Sequence, residues 1–81
     1  MRVTVRLFAR LRDIVGSGEL TREISADATV RTVWNGLVAD FPAAASYERS
    51  LSVAVNADYA RMDHTLTDGD EVAFLPPVSG G

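Results

Sequence analysis

The sequence predicts an α+β domain in which a mixed sheet of four to five strands packs on one main helix. Three observations carry this expectation. The chain opens on a two-residue alternation of apolar and polar side chains, its middle holds one apolar stripe of 3.6-residue period, and its end returns to alternation after a tight turn. The resulting order of strand, strand, helix, strand, short strand, strand excludes an all-parallel α/β sheet and suits one helix on one face.

The first strand places Val3, Val5 and Leu7 on one face and Arg2, Thr4, Arg6 and Phe8 on the other. Phe8 is a large aromatic on the arginine face, where it either caps the end of the core or serves a partner. From Ala9 to Val15, Leu11, Ile14 and Val15 fall at helical spacing before Gly16, so a short helical turn with a glycine stop is expected. Glu19 to Ile24 reads as a second, weaker strand.

Thr29 is a fair N-cap for the main helix, whose stripe is Val30, Val33, Trp34, Leu37, Val38 and Phe41, and Pro42 ends it. A rival reading takes Asn35-Gly36 as a type I′ hairpin turn between two strands. The helix is preferred, at roughly 1 kcal/mol for its interior glycine. Ala43 to Ser50 is expected to be a loop or irregular turn. Leu51, Val53 and Val55 form the inward side of a third strand, Asn56-Ala57-Asp58 turns out of it, and Tyr59 to Arg61 makes a short edge strand. Asp68-Gly69-Asp70 is a tight turn into the last strand, Glu71 to Leu75, with Val72 and Phe74 inward and Ala73 and Leu75 outward.

With 81 residues, 47% of them apolar and 23% charged, the chain has the composition of one globular domain and lacks room for a two-domain enzyme. It contains no cysteine, which excludes a disulfide framework, thiolate metal sites and a cysteine nucleophile. Its apolar runs fall short of the roughly 20 residues that cross a bilayer, and Met1-Arg2 leads into a strand rather than a signal-peptide block, so no membrane association and a cytoplasmic location are expected. His64 is the only histidine, beside Asp63 in a turn, and Asp68, Asp70 and Glu71 lack the calcium-loop spacing. No metal site is expected. A nucleophile beside a base and a phosphate loop are missing as well, which favours a carrier or binding module over a self-sufficient enzyme.

Charge is unevenly spread. Arg2, Arg6, Arg10 and Arg12 meet no acid in the first twelve residues, whereas the remainder holds four arginines and eleven acids, for a net charge of −3. The basic stretch is a solvated strand face or a docking patch for an acidic partner. Nucleic acid is not an expected partner, since the domain is acidic and shows none of the usual reading motifs.

The chemistry concentrates in Pro76-Pro77-Val78-Ser79-Gly80-Gly81. The domain is expected to span 1–75 and this flexible tail 76–81. Two prolines stiffen an extended exit, and six residues reach up to about 20 Å, enough to enter another protein's cleft. Gly80 and Gly81 carry no side chain, so the backbone can pass a narrow channel and leave the terminal carboxylate open to attack. That carboxylate is unreactive until ATP converts it to an acyl adenylate, from which a sulfur or nitrogen nucleophile displaces AMP.

Three stretches, VRLFARLRDIVG (Val5 to Gly16), VNADY (Val55 to Tyr59) and LTDGDEVAFLPPVSGG (Leu66 to Gly81), resemble the MoaD/ThiS sulfur carriers. The ending most resembles members that act as small subunits of molybdopterin synthase. The resemblance implies a β-grasp, ubiquitin-like fold with the first and last strands side by side, bringing Phe8 and Leu75 onto one patch. It also implies a cycle. A ubiquitin-activating-like adenylyltransferase adenylates Gly81, a sulfur donor system turns it into a thiocarboxylate, and the large synthase subunit receives the tail and directs its sulfur to a cyclic pyranopterin precursor. No cofactor is then held stably; the glycyl adenylate and the thiocarboxylate are covalent states of Gly81. Other carriers of this kind serve thiamine or cysteine synthesis, and ubiquitin-like modifiers use the same activation. The resemblance assigns partner contacts to Phe8, Arg12, Tyr59 and Leu75 and to the tail residues Pro76, Pro77, Val78 and Ser79, with Gly80 and Gly81 as the reacting end. Leu75 stands where relatives often have an aromatic, and Tyr59 where they often have an aliphatic residue.

Overall fold

The computed structural model describes residues 1–77; what the sequence leads one to expect of Val78, Ser79, Gly80 and Gly81 lies outside the described residues. In chain order the elements are β1 (Arg2–Leu7), α1 (Ala9–Val15), β2 (Glu19–Glu23), α2 (Val30–Asp40), a 3-10 segment (Pro42–Ser50), β3 (Ser52–Val55), β4 (Asp58–Ala60) and β5 (Glu71–Leu75). One mixed sheet runs β2-β1-β5-β3-β4, with β1 parallel to β5 and every other pair antiparallel.

Alternation decides which side of the sheet is covered. Val3, Val5 and Leu7 of β1, Val53 and Val55 of β3, and Val72 and Phe74 of β5 are buried on one face. Against them α2 lays Val30, Val33, Trp34 and Leu37, while Val38 and Phe41 pack at the margin. Asn35-Gly36 is helical, because a hairpin there would expose half of this stripe. The Thr29 amide donates to Thr32 Oγ1 at 3.2 Å, occupying one of the N–H groups that a helix start leaves without a partner. Gly16 ends α1 at φ 86°, the left-handed conformation that glycine adopts without a Cβ clash.

Three details differ from the sequence reading. The expected loop at Ala43 to Ser50 is a 3-10 segment that begins at Pro42, whose fixed φ suits the first position of a helical turn, and it buries Ala44. The edge strand lies one residue earlier than Tyr59 to Arg61. Asn56 (φ 50°) and Ala57 (φ 71°) close a two-residue turn, so Asp58 already pairs with Val55. The third correction concerns the tail. Pro76 is buried, because it continues the inward series Val72, Phe74, Pro76 at two-residue spacing, and the first exposed residue of the exit is Pro77.

Candidate functional site: the surface around the C-terminal exit

The sheet has its helix on one face only, and the other face is open. The register Leu7↔Phe74 between β1 and β5 sets the next residues, Phe8 and Leu75, beside each other at the strand ends from which the chain continues to Pro76 and Pro77. Phe8 leaves the strand as the extended residue before α1 (φ −129°, ψ 156°) and stays 39% exposed. The Arg6 guanidinium lies 5.8 Å from the centroid of its ring, a cation–π contact that helps hold the ring on the surface. Leu75 is half-buried and pairs with Ser52 on its other side.

Pairing across the sheet extends this patch. Arg6, Ala73, Ala54 and Tyr59 form one row over β1, β5, β3 and β4. The two alanines leave a shallow apolar floor, and Tyr59 stands at its far edge, 86% exposed. Phe8 and Tyr59 are the exposed large hydrophobics among the described residues, and both border this one face. The sheet therefore brings Phe8, Tyr59, Leu75 and Pro77 onto one surface. It sets Pro76 beneath that surface.

The four N-terminal arginines do not form a free basic patch. Arg2 pairs with Glu23 at 2.8 Å, Arg6 with Glu19 at 3.8 Å and Glu71 at 3.5 Å, and Arg10 with Asp13 at 3.5 Å. The first two follow from the β1–β2 register, which sets Arg2 opposite Glu23 and Arg6 opposite Glu19. Arg12 is exposed and has no ion pair among the described residues; its Nε comes within 3.5 Å of where a side chain at Gly18 would begin. Of the four, Arg12 is the cation left for a partner's acid.

The turn before β5 is held by a buried carboxylate that the sequence reading put down to turn chemistry alone. Asp70 accepts from the Thr67 amide (2.8 Å), Asn56 Nδ2 (2.8 Å) and Thr67 Oγ1 (3.1 Å). These bonds, the Thr67 amide first, hold its pKa below the ordinary carboxylate value against the opposing effect of burial. Asn56 Oδ1 in turn accepts from the Glu71 amide at 2.9 Å, which locks the β3–β4 turn to the start of β5. The network sets the line along which β5 carries Leu75 to the surface. A single sequence could reveal it only as an Asn and an Asp fourteen residues apart, with nothing to join them.

At the β4 edge of the sheet, a groove of about 310 Å³ opens, lined among others by Arg31, Glu48, Leu51, Tyr59, Arg61 and Met62. Its charged wall is the Arg31–Glu48 pair at 2.9 Å. Among the described residues no group of three or more metal-ligating side chains comes together. His64 is exposed in its turn.

Comparison with known proteins agrees with this layout. The family model of the ThiS family matches residues 5–81. A protein of Escherichia coli (strain K12) named molybdopterin synthase sulfur carrier subunit is 43% identical over 82 residues, covering 98% of this chain and 99% of that protein. Small archaeal modifier protein 1 of Haloferax volcanii is 34% identical over 85 residues, covering 94% of this chain and 97% of that protein. The crystal structure of SAMP1 from Haloferax volcanii superposes with a TM-score of 0.87 at 31% identity, covering 100% of both chains. The fold is thus the β-grasp, ubiquitin-like fold that the resemblance implies. With its first strand beside its last, one helix behind a mixed sheet and a family match that continues through the diglycine, the chain belongs to the ThiS family.

Proposed function

We propose that this chain is the sulfur carrier of molybdopterin synthase, the small subunit whose Gly81 carboxylate carries the sulfur while catalysis belongs to the large subunit. The observation that carries this reading is the 43% identity, across 98% of the chain, to a molybdopterin synthase sulfur carrier subunit. The open face around Phe8 and Leu75, next to the residues that lead to Gly80 and Gly81, supports it. The domain offers an anchor and a line of exit.

The cycle proceeds in three steps. A Gly81 carboxylate oxygen attacks the α-phosphorus of ATP on an adenylyltransferase, and pyrophosphate leaves. A persulfide of the donor system displaces AMP from the acyl carbon, and a second thiol cleaves the acyl disulfide to leave a thiocarboxylate. In the large subunit, the sulfur forms a C–S bond to cyclic pyranopterin monophosphate as a C–O bond of the precursor breaks, and hydrolysis of the acyl C–S bond leaves the sulfur on the product and returns the Gly81 carboxylate. Two such deliveries build the dithiolene. We place the cycle in the cytoplasm, which supplies the ATP it consumes. Phe8, Arg12, Tyr59, Leu75, Pro77, Val78 and Ser79 contact the partners, and Gly80 and Gly81 are the reacting end. Pro76, being buried, acts by fixing the exit rather than by contact.

Intact-mass analysis of protein purified gently from its own cells tests the proposal. Replacement of one oxygen by sulfur, confined to the last peptide, is expected; an unmodified mass after incubation with ATP, the activating enzyme and a sulfur donor would overturn it. The likeness to small archaeal modifier protein 1 favours a second reading, a protein modifier joined through Gly81 to lysines of other proteins. A ladder of covalent conjugates in cells would identify that role.

A further inference from the structure

We propose that this carrier is a donor-only acyl carrier, its surface cations being arginines so that no side-chain amine or thiolate of its own can capture the activated Gly81. The inference rests on the carrier reading of Gly81 and concerns how the activated end survives. An acyl adenylate or thioester is attacked by primary amines and thiolates. The sequence contains neither lysine nor cysteine; its eight basic residues other than histidine are all arginine. A guanidinium stays protonated at any physiological pH and offers no nucleophilic lone pair, whereas a lysine always has some free amine.

The fold makes this choice matter. Arg6 lies over Phe8, and Arg10 and Arg12 lie on α1, which starts directly after β1 at the end where β1 pairs with Phe74. An amine at any of these positions falls within the span of up to about 20 Å that six residues from Pro76 to Gly81 can cover. The local ion pairs do not demand arginine. Arg6 and Arg10 pair with exposed carboxylates at 3.5 to 3.8 Å, contacts that an ammonium makes equally well and that contribute at most about 1 kcal/mol each. The α-amine of Met1 donates to the Ile24 carbonyl at 2.6 Å, at the opposite end of β1 and about 20 Å of strand away from Leu7. Activated Gly81 therefore meets no side-chain amine or thiolate of its own chain, and amide formation needs an acceptor on another protein. Any conjugate in which the chain takes part holds one copy of it per attachment site.

The test uses the chain carrying a Gly81 thioester of 2-mercaptoethanesulfonate, prepared by intein cleavage, incubated at pH 8 and followed by intact mass. Aminolysis would form a C–N bond, break the C–S bond and release the thiol, giving a cyclic product one water lighter than the free acid, or a dimer. The unchanged chain should give free acid alone. Arg10→Lys and Arg12→Lys should each raise the self-acylated fraction at least about tenfold, because a tethered amine acts at high effective concentration. Cyclic or dimeric product from the unchanged chain would overturn the proposal, as would both lysine variants remaining at its level. Since the thioester is made without any activating enzyme, failure of the sulfur-carrier reading would show as absent thiocarboxylate in cells and leave this result unchanged.

Discussion

Nε1 of Trp34 donates a 2.8 Å hydrogen bond to Oε1 of Glu48, so the ring at the centre of the core is tied to the outer end of the 3-10 segment. Trp34 is fully buried and its ring lies 5.0 Å from that of Phe74, tilted by 58°. Hydrogen bonds from Arg31 and from the indole hold the Glu48 carboxyl below its ordinary pKa. One carboxylate thereby joins α2, the 3-10 segment and, through Trp34, the strand that leads to the exit.

Trp34→Ala should cost about 3 to 5 kcal/mol and leave so small a domain largely unfolded. Chemical denaturation measures it. Trp34→Phe keeps most of the apolar contact and loses the bond to Glu48, so it should be clearly milder. Equal losses for the two would show that the hydrogen bond, rather than the ring's volume, holds the core.

Asp70→Ala should destabilise by about 1 to 3 kcal/mol, because the Thr67 amide and the Asn56 amide group lose their acceptor in a buried turn. The pH dependence has a definite sign. The folded-state pKa of Asp70 lies below its ordinary value of 3.8, so its contribution is complete above 3.8 and is lost as pH falls from there through the lower folded value. Acid titration of stability should show a drop in that window for the unchanged chain and a smaller one for Asp70→Asn.

Phe8→Ala should weaken binding to the large synthase subunit by about 1 to 3 kcal/mol, as an exposed aromatic anchor does. Its effect on folding should be small, given its 39% exposure. Calorimetric titration paired with thermal melting separates the two roles. Unchanged affinity with lowered stability would assign the ring to the core.

Deleting Gly81, or adding one residue after it, should abolish sulfur transfer while leaving folding stability within about 0.5 kcal/mol. Pro76 and Pro77 should part company in the same assay. Pro76→Gly removes a buried ring and should lower stability by about 1 kcal/mol, whereas Pro77→Gly should leave stability near the original value and slow transfer by loosening the exit.

Residue order alone determined the first and last strands and the main helix. Alternation in β1 and β5 and the stripe of α2 are local signals, since each element writes its own geometric period into which residues are apolar. Diproline and diglycine are local too, because their effect on the backbone belongs to the residues themselves. Tertiary structure decided what depends on residues far apart in the chain. Only strand pairing shows that Glu23 and Glu19 neutralise Arg2 and Arg6, that Asn56 and Asp70 clasp one turn, and that Tyr59 shares a face with Leu75. Pro76 is the instructive case. Its composition marks it as the start of an arm, yet two residues after the buried Phe74 it is itself buried, a fact that only the assembled fold decides.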